Sequence, residues 1–306
     1  MKLFAWLFLM FCCVCAQVEA QPIRPKIVGI GGVRLSLSTT DEFVRFYIND
    51  LGFGGGLTAC KGASNACAEV NKFQRIDVDA PVRSSLNEVP KGTGMLTGVD
   101  FETTDASELR RYLIARGMHP GKVVETKDTN LYFSVLDPEG HSIGFIQYLT
   151  HDDFSHPENQ VSGHVIHAGF VVRDRATEDK FYKDILGFHV YWHGGMKDGE
   201  DNWVDMQVPD GSDWIEYMLG VSPDASHKTL GVMNHIALGV PDIHTAQQQL
   251  IKNGWKGTEE PKIGRDGKWQ LNLYDPDETR VELMEFKPTK EPCCSTYTGP
   301  HPGPAQ

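Results

Sequence analysis

The sequence lacks an excess of basic residues, and this absence excludes one large class of partners. Its 29 lysines and arginines are outnumbered by 41 aspartates and glutamates, which gives a formal net charge of −12 at pH 7. Proteins that bind nucleic acids carry surplus positive charge because they must neutralise phosphates. We therefore predict no nucleic-acid partner and expect a small-molecule substrate. A homo-oligomer is compatible with the sequence.

Long hydrophobic runs are also scarce. The N-terminal segment MKLFAWLFLMFCCVCAQVEA places Lys2 before an apolar run of twelve residues, Leu3 to Val14. A helix that spans a membrane needs about 20 apolar residues, and small residues suited to cleavage follow this shorter run. We interpret residues 1–20 as a secretory signal peptide. The prediction is a periplasmic or secreted protein with no stable membrane insertion after cleavage.

Cysteines are few once the predicted signal peptide is set aside. Four remain, namely Cys60, Cys67, Cys293 and Cys294, and an even number is typical of an exported protein. Cys60 and Cys67 could close a small loop, with free thiols as the alternative. Adjacent cysteines pair only with strain, so the state of Cys293 and Cys294 stays open.

Two short motifs occur twice and indicate the architecture. FYINDLGF, Phe46 to Phe53, recurs as FYKDILGF, Phe181 to Phe188, and VLDPEGHSIGFIQY, Val135 to Tyr148, resembles LYDPDETRVELMEF, Leu273 to Phe286. Each quarter of the chain begins with a strand pattern, continues with an amphipathic helix pattern and ends in further strand patterns. The sequence therefore predicts an α+β fold of four βαβββ modules, paired into two domains.

Polar segments without periodicity mark the expected domain boundaries. Thr150 to Gly163 separates the two halves, so we predict an N-terminal domain at residues 26–150 and a C-terminal domain at residues 163–288. The segment at residues 289–306 is rich in proline and glycine, and we expect it to be disordered.

Two histidines stand at the same place in the third and fourth modules. His167 and His235 each open a strand pattern, and the next residue on the same strand face is small, Gly169 or Ala237. The opposite strand faces are apolar and suit the core. Small neighbours leave space beside both imidazoles, which favours a site over ordinary packing.

The closing strands of the same modules supply carboxylates. Glu216 and Glu282 lie in apolar strand sequences at similar distances along the chain from their histidines. Two imidazoles with one or two carboxylates are a ligand set for one divalent ion of Fe, Mn, Ni, Co or Zn. We predict His167, Glu216, His235 and Glu282 as metal ligands and both glutamates as catalytic. The alternative is that these are solvated strand residues, retained by common ancestry of the modules.

The corresponding positions of the N-terminal half contain no histidine. They are Val33 or Arg34 and Gly98 in the opening strands, and Asp77 and Gly144 in the closing strands. We therefore expect metal ligands only in the C-terminal domain. Several aromatic residues flank the proposed site and are candidates for lining a pocket, namely Tyr191, Trp192, Trp203, Trp214 and Tyr217.

These motifs resemble the vicinal oxygen chelate superfamily, which includes glyoxalase I, extradiol dioxygenases and bleomycin-resistance proteins. The resemblance rests on the paired FYxxxLGF motifs, the NHIAL opening and the DPEG and DPDE turns, and it extends from Val33 to Phe286. It implies two vicinal-oxygen-chelate domains, of which only the C-terminal one binds metal. The superfamily contains many activities, so fold alone does not identify the reaction.

The two enzyme branches of the superfamily imply different ligand sets here. Similarity to glyoxalase I implies His167, Glu216, His235 and Glu282, whereas similarity to extradiol dioxygenases implies Fe(II) held by His167, His235 and Glu282. That second branch also uses a tyrosine where this chain has Asn272. We predict an exported glyoxalase-like lyase or isomerase whose substrate chelates the metal through vicinal oxygens. The alternatives are a ring-cleaving dioxygenase and a non-catalytic binding protein of the bleomycin-resistance type.

Overall fold

The computed structural model describes residues 22–36, 39–57, 66–79, 96–150, 154 and 156–305. The predicted signal peptide and Cys60 lie outside these ranges, so export and the pairing of Cys60 with Cys67 stay predictions. Within the described part, no helix is both long enough and apolar enough to cross a membrane.

The N-terminal domain is one eight-stranded sheet in the order β2-β3-β4-β1-β5-β8-β7-β6. Its strands are β1 Ile27–Ser36, β2 Gly54–Gly56, β3 Ala66–Glu69, β4 Arg75–Asp79, β5 Leu96–Thr103, β6 Val124–Glu125, β7 Leu131–Leu136 and β8 Ser142–Gln147. Helix α1, Thr40–Phe43, continues into the π-helical turn π1, Val44–Asp50, and α2 is Ala106–Ala115. Each half of the sheet is one βαβββ module.

The C-terminal domain repeats this arrangement in the order β10-β11-β12-β9-β13-β16-β15-β14. Its strands are β9 Val165–Val171, β10 His189–Gly194, β11 Trp203–Gln207, β12 Trp214–Met218, β13 His235–Val240, β14 Lys262–Ile263, β15 Trp269–Tyr274 and β16 Arg280–Glu285. The helical elements are α3 Arg175–Asp179, the π-helical turn π2 Lys180–Ile185, α4 His227–Met233 and α5 Ile243–Asn253. The predicted α+β class of four βαβββ modules is confirmed.

Local sequence sets the ends of α5. The side chain of Asp242 accepts a hydrogen bond from the backbone N–H of Thr245, which satisfies a donor that the first turn would otherwise leave unpaired. The helix ends at Gly254, whose φ of 111° lies in the left-handed region that glycine adopts without steric cost. Three of its apolar side chains are buried, namely Ile243, Ala246 and Leu250, whereas Ile251 is exposed.

Buried polar contacts join the two domains. The side-chain amide of Gln74 donates to the backbone oxygens of Ile30 and Val165, both at 2.9 Å. The carboxylate of Asp213 accepts from the backbone N–H of Ile30 at 2.9 Å. Since these groups are buried, loss of one partner would leave an unpaired polar group.

The C-terminal tail differs from its predicted disorder. Residues 289–305 run against the C-terminal domain, where the backbone N–H of Thr298 donates to the oxygen of Tyr191 at 3.0 Å. The hydroxyl of Tyr297 donates to the backbone oxygen of Asp266 at 2.7 Å. Composition indicated disorder because proline and glycine lower the propensity for helices and strands, yet irregular backbone is held here by hydrogen bonds and by aromatic contacts.

The adjacent cysteines of the tail form a disulfide with each other, a state that the sequence left open. The backbone oxygen of Cys293 accepts a hydrogen bond from the indole of Trp192 at 3.1 Å, and Cys294 has a positive φ of 73°. The disulfide therefore lies at the point where the tail passes the C-terminal sheet.

Candidate metal centre

The four predicted ligands lie on four adjacent strands of the C-terminal sheet. His167 is on β9 and His235 begins β13, its antiparallel neighbour, while Glu216 on β12 and Glu282 on β16 flank this pair. The Nε2 atoms of the two histidines are 3.1 Å apart. Both imidazoles and Glu282 are buried, and Glu216 is half-buried. The structure thus brings together all four side chains.

The distances from each glutamate to the two histidines are close to those of one coordination shell. Oε2 of Glu216 is 3.0 Å from Nε2 of His235 and 3.7 Å from Nε2 of His167. Oε2 of Glu282 is 3.9 Å and 3.7 Å from the same two atoms. Metal–ligand bonds of about 2.0–2.2 Å place neighbouring ligand atoms roughly 3–3.5 Å apart. An ion among them therefore requires only small side-chain shifts.

Gly169 provides the space that His235 occupies. A Cβ atom at this position would lie 2.1 Å from Cε1 and 2.4 Å from Nδ1 of His235. Such a distance is well inside van der Waals contact, so no larger residue fits without displacing the imidazole. The strand pattern indicated a small residue beside the histidines, and the position of the His235 ring explains why residue 169 must be small.

The hydrogen bonds of His235 define its tautomer. Its Nδ1 is 3.0 Å from the backbone oxygen of Met233, and a carbonyl oxygen only accepts, so Nδ1 carries the hydrogen. The lone pair of Nε2 then faces the other ligands, as metal binding requires. Nδ1 of His167 is buried with no hydrogen-bond partner among the described residues, and its ring packs against Trp214 at 4.7 Å between centroids.

Burial acts on the protonation of all four side chains. It lowers the pKa of His235 and of His167 well below the usual range, and the positive charge of Arg280 adds to this. Burial raises the pKa of Glu216 and of Glu282 to about 7, against the opposing influence of Arg280. Neutral imidazoles and carboxylates penalised by burial are the groups that a bound cation would stabilise.

Charged side chains of both signs surround the site. Lys268 is 1% exposed, with its ammonium 4.5 Å from the ring centroid of Trp214. Four carboxyl groups, Asp205, Glu216, Asp266 and Glu282, share this cavity region with the basic side chains Lys262, Arg265, Lys268 and Arg280. The donor set of two imidazoles and two carboxylates, and not a surplus of charge, is what fits the predicted divalent ion.

Arg280 is a site residue that the sequence reasoning missed. Its Nη2 donates to Nε2 of His235 at 2.7 Å and lies 3.9 Å from Oε2 of Glu216. The sequence could have indicated Arg280, because it lies two residues before Glu282 and therefore on the same face of the closing strand. Because the guanidinium donates to a proposed ligand atom, it must move when an ion binds there.

A cavity of about 320 Å³ opens onto these ligands. Trp192, Trp203 and Trp214 line it, as predicted, together with a set of polar residues, Asp205, Lys262, Arg265, Asp266, Gln270 and Asn272. Two other predicted lining residues, Tyr191 and Tyr217, are buried outside it. The cavity combines planar aromatic walls with charged groups, which suits a small polar ligand that has an apolar part.

Strand register identifies the equivalent positions in the N-terminal sheet. They are Gly32, Asp77, Gly98 and Gly144. The predicted position Val33 or Arg34 is therefore wrong, since Gly32 is the residue that corresponds to His167. Three of the four equivalents are glycines, so the N-terminal sheet has no counterpart of this four-residue group.

The guanidinium of Arg34 fills the space that the N-terminal glycines leave. It pairs with Asp100 and donates to the hydroxyls of Tyr132 at 2.7 Å and Ser142 at 3.0 Å. A Cβ atom on Gly98 would clash with this guanidinium. The N-terminal domain has an ion pair where the C-terminal domain has its candidate centre.

Comparisons with known proteins agree with this description. Residues 164–283 match the family model of the Glyoxalase/Bleomycin resistance protein/Dioxygenase superfamily. Homoprotocatechuate 2,3-dioxygenase from Brevibacterium fuscum, in complex with 3,4-dihydroxyphenylacetate, is 16% identical over 91% of this chain and 87% of that chain, with a TM-score of 0.63. The 2,3-dioxygenase LapB from Pseudomonas sp. KL28 is 15% identical over 90% of this chain and 99% of that chain, with a TM-score of 0.60. No curated relative matches the chain. At these identities the structural likeness shows a shared fold.

Proposed function

We propose that this chain, whose residues 164–283 belong to the Glyoxalase/Bleomycin resistance protein/Dioxygenase superfamily, is an exported metal-dependent lyase or isomerase of glyoxalase type. Its substrate is a small molecule that binds the metal through two neighbouring oxygens. The observation that carries the proposal is the convergence of two imidazoles and two carboxylates beside a cavity. The signal-like sequence of residues 1–20 supports export.

One divalent ion would be held by His167, His235, Glu282 and Glu216. When bound, it supplies Lewis acidity that polarises a substrate carbonyl. The ion itself can be Fe, Mn, Ni, Co or Zn, because all accept imidazole and carboxylate ligands.

Glu216 is our candidate for the base that moves the proton. Its side chain is 13% exposed and faces the cavity, whereas that of Glu282 is 4% exposed. Burial disfavours its charged form and raises its pKa, so Glu216 would act as a base once substrate displaces it from the ion. Glu216 takes a proton from the hydroxyl-bearing carbon next to the carbonyl, and the released electron pair forms the C=C bond of an enediolate as the carbonyl π pair moves onto its oxygen. The protonated Glu216 then returns the proton to the former carbonyl carbon, while the hydroxyl of the first carbon becomes the new carbonyl and its proton passes to the other oxygen.

The cavity walls restrict the substrate. Trp192 and Trp203 offer flat apolar surfaces, and Arg265 and Lys262 place positive charge near the opening. We therefore favour a substrate that joins a vicinal-oxygen group to an apolar or planar part.

A ring-cleaving dioxygenase is the second candidate, and one geometric observation favours it. His167, His235 and Glu282 form a three-ligand group whose donor atoms all lie within 4.8 Å of one another, without Glu216. The similarity of the whole chain to two dioxygenase structures supports this reading at the level of the fold. Oxygen uptake with catechols would distinguish it from proton transfer.

Metal quantification followed by an activity screen tests the proposal. Wild-type protein should bind one more ion than His235→Ala does, whereas the control His244→Ala, at a histidine that packs on Trp269, should bind as many as wild type. Each reconstituted form is then screened with thiol adducts of 2-oxoaldehydes and with catechols. Equal metal content in His235→Ala and wild type overturns the site. Ligand binding without turnover by any form would instead favour a binding protein.

A further inference from the structure

A second cluster of metal-type ligands lies at the boundary between the domains. Asp137 and His141 belong to the turn between β7 and β8 of the N-terminal domain, and Glu178 belongs to α3 of the C-terminal domain. One donor atom from each of the three lies within 4.8 Å of the other two. Oδ2 of Asp137 is 2.7 Å from Nδ1 of His141 and accepts a hydrogen bond from Tyr182 at 3.1 Å.

The carboxylate of Glu178 is incompletely satisfied at this place. Its side chain is fully buried, and Oε1 accepts from the backbone N–H of Glu139 at 2.9 Å. Oε2 is buried without a hydrogen-bond partner among the residues that the structure describes. A buried polar atom without a partner is costly, so this oxygen points to a missing ligand.

Among the described residues, His141 is the one basic side chain paired with the carboxyl groups of this cluster. No lysine or arginine in the described ranges forms an ion pair with Asp137 or Glu178. Burial, together with the charge of Asp137, raises the pKa of Glu178 to about 8. The side chain of His141 is 18% exposed, so an ion from solvent can reach the cluster at this residue.

The opposite side of the domain boundary provides an internal comparison. There Tyr47 donates to Asp275, the counterpart of the contact between Tyr182 and Asp137. In the repeated motifs, however, Phe43 takes the place of Glu178 and Thr279 takes that of His141. The domains are thus joined on that side without an extra acid or imidazole. On the side of the cluster the ring of His141 also stacks on Phe170 at 4.4 Å between centroids, whereas no such contact accounts for the unpartnered Oε2 of Glu178.

We propose that Asp137, His141 and Glu178 bind a divalent transition-metal ion that connects the two domains. An imidazole with two carboxylates suits such ions, and Nδ1 or Nε2 of His141 would bind in its unprotonated form. Because ligands come from both domains, the ion stabilises their pairing and not the isolated domains. This site is independent of the centre at His167 and does not rest on the proposed function.

Zinc binding by matched variants tests the proposal. The His235→Ala background removes a ligand of the first centre, so that Zn(II) bound by the full chain reports the second site. Calorimetric titration would compare this background with the same chain carrying Glu178→Gln, His141→Ala or the control Glu125→Gln, which alters an exposed carboxylate on β6. Circular dichroism would check that each variant folds. If Glu178→Gln does not fold, Zn(II) binding by His141→Ala tests the same site.

The expected result is one Zn(II) per chain in the background and in the Glu125→Gln control. Glu178→Gln and His141→Ala should each lose it. Equal binding by all variants, or no binding by folded His235→Ala protein, would overturn the second site. If the first centre alone is wrong, the pattern differs. Wild type should then bind one ion, His235→Ala should still bind it, and the single variant Glu178→Gln should lose it.

Discussion

The hydroxyl of Tyr47 in the N-terminal domain donates a hydrogen bond of 2.9 Å to the buried carboxyl group of Asp275 in the C-terminal domain. The reverse contact, from Tyr182 to Asp137, measures 3.1 Å. Each tyrosine belongs to the recurring FY motif and each aspartate to the recurring DP turn. The two motifs therefore meet across the domain boundary, which explains physically why both occur in each half.

Removal of one hydroxyl from this pair should destabilise the fold. At pH 8, where Asp275 is ionised, Tyr47→Phe is expected to lower the free energy of unfolding by about 2 kcal/mol, a typical value for a hydrogen bond to a charged group. Urea denaturation measures the change. The control Tyr274→Phe, at a side chain 42% exposed, should leave the midpoint unchanged. Equal midpoints for both variants would contradict the prediction.

Asp275 should make stability depend on pH. Burial raises its pKa from 3.8 to about 7, so between these values the native state keeps a proton that the unfolded state has lost. The free energy of unfolding therefore falls as the pH rises through this window. Asp275→Asn lacks the titration, and wild type should lose stability relative to this variant between pH 5 and pH 7. A constant difference across these pH values, measured by urea denaturation, would refute the assignment.

Residue patterns were sufficient to predict the four modules and the convergence of two histidines and two glutamates. Alternation and repeated motifs report which strand face a residue occupies, and equal spacing in two modules implies equivalent positions. The equivalent of His167 in the N-terminal half was also within reach of the sequence. The FY motifs at Phe46 and Phe181 are 135 residues apart, and the same interval counted back from His167 reaches Gly32. The prediction of Val33 or Arg34 did not use this interval.

Long-range partners, in contrast, were hidden from the sequence. Arg280 reads as an ordinary polar residue of a closing strand, and only the fold places its guanidinium on His235. Lys268 reads as a surface lysine, yet it is buried among aromatic rings that include Tyr297 of the tail. Such contacts depend on segments distant along the chain, about which local pattern carries no information.

Gly169 should be intolerant of any side chain. Gly169→Ala would place a Cβ atom 2.1 Å from the ring of His235, so we expect the imidazole to be displaced and metal affinity to fall by more than about tenfold, equivalent to about 1.4 kcal/mol. Gly121→Ala is the control, because its Cβ would meet its nearest atom at 3.4 Å. Metal titration of both proteins measures the effect. Wild-type affinity in Gly169→Ala would show that the ring does not need this space.

Arg280 should oppose metal binding in the resting protein. It donates to the Nε2 atom that the ion would use and carries the same sign of charge. Arg280→Met removes both effects while keeping much of the side-chain volume, so we expect the apparent metal affinity to rise roughly tenfold. Competition with a chelator measures this change, with Arg265→Met, at the cavity edge, as the control. A lower affinity in Arg280→Met would mean that the guanidinium chiefly keeps the glutamates ionised.

The tail should contribute to stability because it packs against the C-terminal domain. Tyr297 lies 4.7 Å from Tyr191 between ring centroids, and its hydroxyl bonds to Asp266. Deletion of residues 289–306 would expose Tyr191 and Trp192, which are now buried. We expect the melting temperature to fall by roughly 5 °C, as about 2 kcal/mol implies for a domain of this size, and tryptophan emission to shift to the red. Tyr297→Phe, which loses only the hydroxyl, should show a smaller fall and no shift. A disordered tail would make no contacts with the domain. An unchanged melting temperature and an unchanged tryptophan emission maximum after the deletion would therefore support the disorder that composition predicts.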